Sequence, residues 1–65
     1  MAKRVVTQGG GNNLFKVNNY NEVYVIISKT FSSDTKKIGS ANNLEDALSI
    51  IKSYSGNQIK EIREW

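Results

Sequence analysis

The segment Val23-Tyr24-Val25-Ile26-Ile27 limits what this chain can fold into more than any other feature of the sequence. Its five side chains are all β-branched or aromatic, and these types favour strands. Alternate residues of a strand point to opposite faces, and here both faces begin apolar. We therefore expect residues 22–31 to form a central strand that is covered on both sides near its start. As an exposed edge strand, this segment would promote aggregation.

Glycine and asparagine clusters divide the rest of the first 40 residues into shorter strands. Asparagine favours turns because it tolerates left-handed backbone and bonds to its own main chain. The predicted strands are residues 3–8, 14–19 and 36–40. The predicted turns are Gly9-Gly10-Gly11-Asn12-Asn13, Asn18-Asn19-Tyr20-Asn21 and Ser32-Ser33-Asp34-Thr35.

A single helix is predicted from about residue 43 to residue 55. Either Asn42 or Asn43 can cap its start, and either choice places an acidic residue at the third helical position. Gly56 fits a glycine that ends a helix in left-handed backbone. One apolar stripe follows from the i, i+3, i+4, i+7 spacing of Leu44, Ala47, Leu48 and Ile51.

The tail from Asn57 to Trp65 fits two structures. A helix would bring Ile59 and Ile62 to one face, whereas a strand would place residues 59, 61, 63 and 65 together; we favour the strand. The prediction is a single α+β domain over residues 1–65. It has a small, mainly antiparallel sheet of three to five strands with the helix packed on one face, in the order strand–strand–strand–(strand)–helix–strand.

The chain contains no cysteine and no histidine. It therefore lacks thiolate nucleophiles, disulfides, Cys-rich zinc sites and imidazole bases. Its six acidic residues do not show the spacing of a calcium loop. We expect a protein that is not an enzyme and that holds no metal and no cofactor.

The apolar stretches are short. The longest covers residues 23–27, far below the roughly 20 residues that span a bilayer. The two apolar residues after Lys3-Arg4 are too few for the core of a signal peptide. We expect a cytoplasmic protein with no membrane contact.

Basic residues concentrate in the first 40 positions, which hold six Lys and Arg against two acids, whereas residues 41–65 hold three against four. If the first 40 residues form the sheet, its solvent side would be electropositive and suited to phosphate backbones. The candidate nucleic-acid-binding residues are Lys3, Arg4, Lys16, Lys29, Lys36 and Lys37. The alternative interpretation is that these lysines are ordinary solvated residues that also protect strand edges.

Three further features have two interpretations each. Gly9-Gly10-Gly11 resembles a phosphate-binding loop, but strand-like residues follow it, which favours a simple connection between strands. Trp65 is expected to close an open edge of the core, with an anchor for a partner as the alternative. Tyr20, in the predicted asparagine-rich turn, is a second candidate for partner contact.

The sequence thus predicts a small binding module. The leading version binds nucleic acid, or acts as an accessory protein, through a basic sheet face. The alternative is a protein-interaction or inhibitory module that pairs as a homodimer through a sheet edge.

Overall fold

Residues 3–40 form four strands, of which the first three alternate buried residues with more exposed ones, and a helix and a fifth strand follow. The structure is a computed structural model that describes residues 2–65. The elements are β1 (Lys3–Thr7), β2 (Leu14–Val17), β3 (Glu22–Ser28), β4 (Ser33–Ser40), α1 (Leu44–Ser55) and β5 (Ile59–Glu64). This confirms the predicted α+β class, the element order and the strand at the tail.

The five strands form one antiparallel sheet in the order β4-β3-β2-β1-β5. The first four strands pair with their neighbours in sequence, as successive hairpins do. β5 joins the far edge by pairing with β1, from Lys3 opposite Glu64 to Thr7 opposite Ile59. β4 and β5 are therefore the two edge strands.

The core lies between the sheet and α1. Val5, Phe15 and Val25 stand directly opposite one another on β1, β2 and β3, and all three are fully buried. Ala47 and Ile51 of the helix are also fully buried. Two more valines, Val17 and Val23, complete this small apolar cluster.

Both ends of α1 are capped by the residue types that the sequence suggested. Asn43 is the N-cap, and its side-chain oxygen accepts a 2.9 Å hydrogen bond from the Asp46 amide. Of the two candidate caps, the structure therefore selects Asn43. Gly56 ends the helix with φ 72°, and its amide donates to the Lys52 carbonyl over 2.8 Å.

The hairpin between β3 and β4 differs from the sequence prediction. The expected strand extended to Phe31, with a turn at residues 32–35, but β3 ends at Ser28 and β4 already begins at Ser33. The Lys29 amide donates to the Ser32 carbonyl over 2.8 Å, which closes a tight turn around Phe31. Phe31 is consequently 98% exposed at the tip.

The triple glycine lies in the loop between β1 and β2, as the simpler interpretation predicted. Gly9 and Gly11 have φ of 88° and 78°, which favours glycine over other residues. The Asn13 side chain donates to the Gly9 carbonyl at 3.3 Å, and the Thr7 amide donates to the Asn13 carbonyl at 2.9 Å. A strand follows this loop, so it lacks the helix N-terminus of a phosphate-binding loop.

Candidate nucleic-acid interface

One face of the sheet packs against α1, and within residues 2–65 no element covers the other, which we call the open face. The expectation that β3 is covered on both sides is therefore wrong. Tyr24 and Ile26 point to the open face and are half-buried, because neighbouring strands alone shield them. The open face therefore remains available to a partner within the part of the chain that the structure describes.

Four cations and one tyrosine form a single line across the open face, one from each strand. Arg4 of β1 stands opposite Arg63 of β5 on one side and Lys16 of β2 on the other. Tyr24 of β3 stands opposite both Lys16 and Lys37 of β4. We call this line the cationic row: Arg63, Arg4, Lys16, Tyr24 and Lys37.

A second line runs beside it, two residues further along each strand. At its centre Val6, Leu14 and Ile26 stand opposite one another on β1, β2 and β3. All three are half-buried and lie outside the core. Glu61 on β5 and Thr35 on β4 are its polar ends. We call this line the apolar row: Glu61, Val6, Leu14, Ile26 and Thr35.

Trp65 folds over the cationic row and does not join the core. The Arg4 guanidinium carbon lies 4.8 Å from the centre of the indole ring, and the Lys16 ammonium lies 5.0 Å from it. These are cation–π distances. The expectation that Trp65 closes the core is wrong: β5 places it on the open face, and it stays 49% exposed.

Tyr20 lies in the β2–β3 turn, at the same end of the sheet as Trp65. Asn19 and Trp65 line one open depression of about 310 Å³ together with Ala2 and Glu64. The Tyr20 ring itself is 81% exposed. The two residues predicted to contact a partner are therefore both accessible and lie on one side of the cationic row.

Ion pairs divide the cationic row into two kinds of residue. Lys37 bonds to Glu22 at 2.7 Å and Arg63 bonds to Glu61 at 2.9 Å, both at the edge strands. Arg4 and Lys16, in the middle, form no ion pair within the part of the chain that the structure describes. The centre of the row therefore holds two cations beside the Trp65 ring that no carboxylate within residues 2–65 pairs with.

The pair at the β4 edge alters the titration of both partners. The Lys37 ammonium, and then the Asn18 amide, donate hydrogen bonds to Glu22 and hold the pKa of that carboxyl below its ordinary value of 4.5. The hydrogen bond to Glu22 raises the pKa of Lys37 above 10.5. The Lys37 side chain is 48% exposed and the Glu22 side chain 31% exposed, so solvent screens the pair and its effect on stability is small.

We expect a carbon-detected NMR titration to place the Glu22 pKa below 4.5, and the Lys37→Gln substitution to raise it. The pKa is lower in the folded state, so the pair stabilises the fold above pH 4.5 and this contribution disappears as pH falls through the folded-state pKa. An unchanged Glu22 titration in the variant would contradict the pairing.

The structure brings together three of the six basic residues proposed from the sequence: Arg4, Lys16 and Lys37. Lys3 lies on the helix side of β1 and bonds to Glu64 at 3.0 Å. Lys36 is exposed on the helix side of β4, opposite Val25. Lys29 lies beside the β3–β4 turn, where it pairs with Asp34.

Sequence reasoning missed Arg63 and the apolar row. The strand interpretation of the tail already placed residues 63 and 65 on one side, and that was the available signal. The pairing of β5 with β1 joins positions about 60 residues apart, for which the sequence holds no local sign. Val6 and Leu14 look like ordinary core residues until the helix is known to cover the opposite face.

Residues 2–65 show neither a cluster of metal-binding side chains nor a helix that could span a membrane. No three His, Cys, Asp or Glu side chains lie close enough together to hold a metal ion. The one helix described is too short and too polar to cross a bilayer.

Comparison with known proteins assigns neither a family nor a function to this chain. No family model, no curated protein and no solved structure matches the chain.

Proposed function

We propose that this protein is a small non-enzymatic module that binds single-stranded nucleic acid across its open face. The observation that carries the proposal is the cationic row, which aligns four positive side chains and one tyrosine across all five strands. Neighbouring strands are about 4.8 Å apart, so the row extends for about 19 Å. A line of this length and charge complements a stretch of phosphodiester backbone.

The dimensions of the sheet favour a single strand over a duplex. A major groove about 12 Å wide admits a helix or a two-stranded ribbon, but not a sheet about 19 Å across. A single strand can lie on such a surface and follow the cations one after another. Single strands also expose the faces of their bases, which a duplex hides.

Two aromatic rings interrupt the charges. Tyr24 separates Lys16 from Lys37, and Trp65 covers Arg4 and Lys16 from the end of the sheet. Alternating cations and aromatic rings are the chemistry that binds single strands with little sequence preference, because every base has a face that can stack.

The alternative, a homodimer formed through a sheet edge, has less support. Both edge strands contain an irregularity: Ile38 is the extra residue of β4, and Lys60 is the extra residue of β5. Both edges also present charges, at Lys36 and Lys37 on β4 and at Arg63 on β5. Bulges and charged edges oppose the addition of another strand.

We expect the Arg4→Ala/Lys16→Ala double variant to bind a labelled 12-nucleotide single strand more weakly, as measured by fluorescence anisotropy. Four phosphate contacts would give a salt slope of about −2.8, and two would give about −1.4. If the affinities converge at 1 M salt, the loss at 0.1 M is about 25-fold. Lys36→Ala is the matched control, because Lys36 lies on the helix side and should leave binding and slope unchanged.

The proposal fails if the wild-type protein binds neither single-stranded DNA nor single-stranded RNA at low salt. It also fails if duplex and single strand bind equally well, or if Lys36→Ala weakens binding as much as the double variant does. In those two cases charge anywhere on the surface, rather than the open face, would account for binding. Trp65 is the only tryptophan of the sequence, so a change in its fluorescence should accompany true binding.

A further inference from the structure

We infer that the apolar row is the platform that receives the bases, so that the nucleic acid crosses the β-strands with its phosphates on the cationic row and its bases on Val6, Leu14 and Ile26. This inference rests on the proposed function and extends it to the orientation of the ligand. It also predicts little discrimination among the bases.

The two rows have the spacing that this orientation needs. Residues on the same face of a strand are two positions apart, which places the rows about 6.7 Å from each other. The two rows run side by side across all five strands. No register shift of the sheet falls between them. A strand whose phosphates follow one row therefore presents its bases to the other.

The chemistry of the apolar row excludes phosphate and suits bases. Val6, Leu14 and Ile26 carry no charge and no side-chain hydrogen-bonding group, and burying phosphate against them would remove its hydration. Glu61 at the β5 end would repel phosphate as well. Flat bases lose little by covering this surface, and they bury apolar area that is now partly exposed.

Charge also argues against a second copy of the chain as the occupant. Two open faces stacked with one cationic row on the other would bring Arg4 and Lys16 close to the cations of the second copy. Neither residue has an acidic partner within residues 2–65 to offset that repulsion. A polyanion with flat apolar groups complements both rows at once.

The sequence preference follows from what the apolar row lacks. Bases are distinguished by hydrogen bonds to their edges. The three central residues of the row offer only hydrocarbon, and Thr35 alone carries a neutral polar group at one end. We therefore expect single strands of different base composition to bind with similar affinity.

The test compares a 12-nucleotide thymidine strand with an abasic strand that has the same number of phosphates. We expect wild-type protein to bind the thymidine strand about tenfold more tightly, because burying about 55 Å² of apolar area on the row contributes at this scale. Leu14→Ser should weaken binding of the thymidine strand severalfold and leave the abasic strand and the salt slope unchanged. Ile26→Thr, which keeps a β-branched residue on the strand, should act in the same direction.

Ile62→Ser is the matched control, because Ile62 is a partly exposed apolar residue on the helix side of the sheet. It should leave binding of both strands unchanged, and circular dichroism should show that every variant is folded. If wild-type protein binds the thymidine and abasic strands equally well while Arg4→Ala/Lys16→Ala still weakens binding, the inference is overturned and the proposed function stands. Absence of binding to either strand would overturn both.

Discussion

Replacing Phe15 by alanine is expected to leave most of the protein unfolded at room temperature. Phe15 is fully buried and is the largest side chain in the core, and its ring meets Tyr54 edge-on at 6.0 Å. Substitutions of this kind cost about 3–5 kcal/mol. A single core in a chain this short rarely supplies more than about 3–5 kcal/mol in total. Urea or thermal unfolding followed by circular dichroism measures the loss.

Phe31→Ala is the matched control, because it makes the same chemical change at the tip of the β3–β4 hairpin, where the ring is 98% exposed. Its free energy of unfolding should lie within about 0.5 kcal/mol of the wild type. A Phe15→Ala protein as stable as the control would mean that the helix does not pack over β2 as described.

Replacing Gly39 by valine is expected to destabilise the protein by about 3 kcal/mol, the upper part of the range for overpacked cores. Strand propensity alone predicts that this substitution stabilises the protein, since valine favours strands and glycine does not. A β-carbon at Gly39 would lie 3.2 Å from two carbons of Ile50, where α1 crosses β4 closely. The two methyl groups of valine would add to this crowding, so that the Ile50 side chain or the helix that carries it must shift.

A double variant tests whether the loss of stability comes from the contact between residue 39 and Ile50. Gly39→Val combined with Ile50→Ala should recover part of the lost stability, because the smaller side chain gives the new methyl groups room. Gly10→Ala is the control: nothing lies within 4 Å of its would-be β-carbon, and its φ is not in the left-handed range. We expect that change to be neutral or slightly stabilising. If Gly39→Val were stabilising, the close approach of α1 to β4 would be wrong.

Local patterns in the sequence predicted most of the fold. The apolar stripe and both caps define α1, because a helix is specified by residues three and four apart. The hairpin at residues 18–21 follows from its asparagines. The β3–β4 turn was misplaced because Phe31 continues the apolar alternation of the strand. Turn geometry, not hydrophobicity, sets the register there.

The candidate site was predictable only in part. Arg4, Lys16 and Lys37 were proposed for their charge, but charge alone could not separate them from Lys36 and Lys3. That separation depends on which face of each strand the helix covers, which is a property of the whole fold. Trp65 was expected in the core because of its size, whereas strand parity places it on the open face.

The position of β5 in the sheet has a consequence for how the binding surface forms. β1 to β4 can assemble from neighbouring hairpins, whereas β5 must return from the far end of the chain, and contacts so distant in sequence are slow to form. Arg63 and Trp65 therefore reach the open face only when β5 pairs with β1. Transient detachment of β5 would shorten the cationic row and release Arg4 and Lys16 from the indole ring, and faster amide hydrogen exchange along residues 59–64 than along β2 and β3 would reveal it.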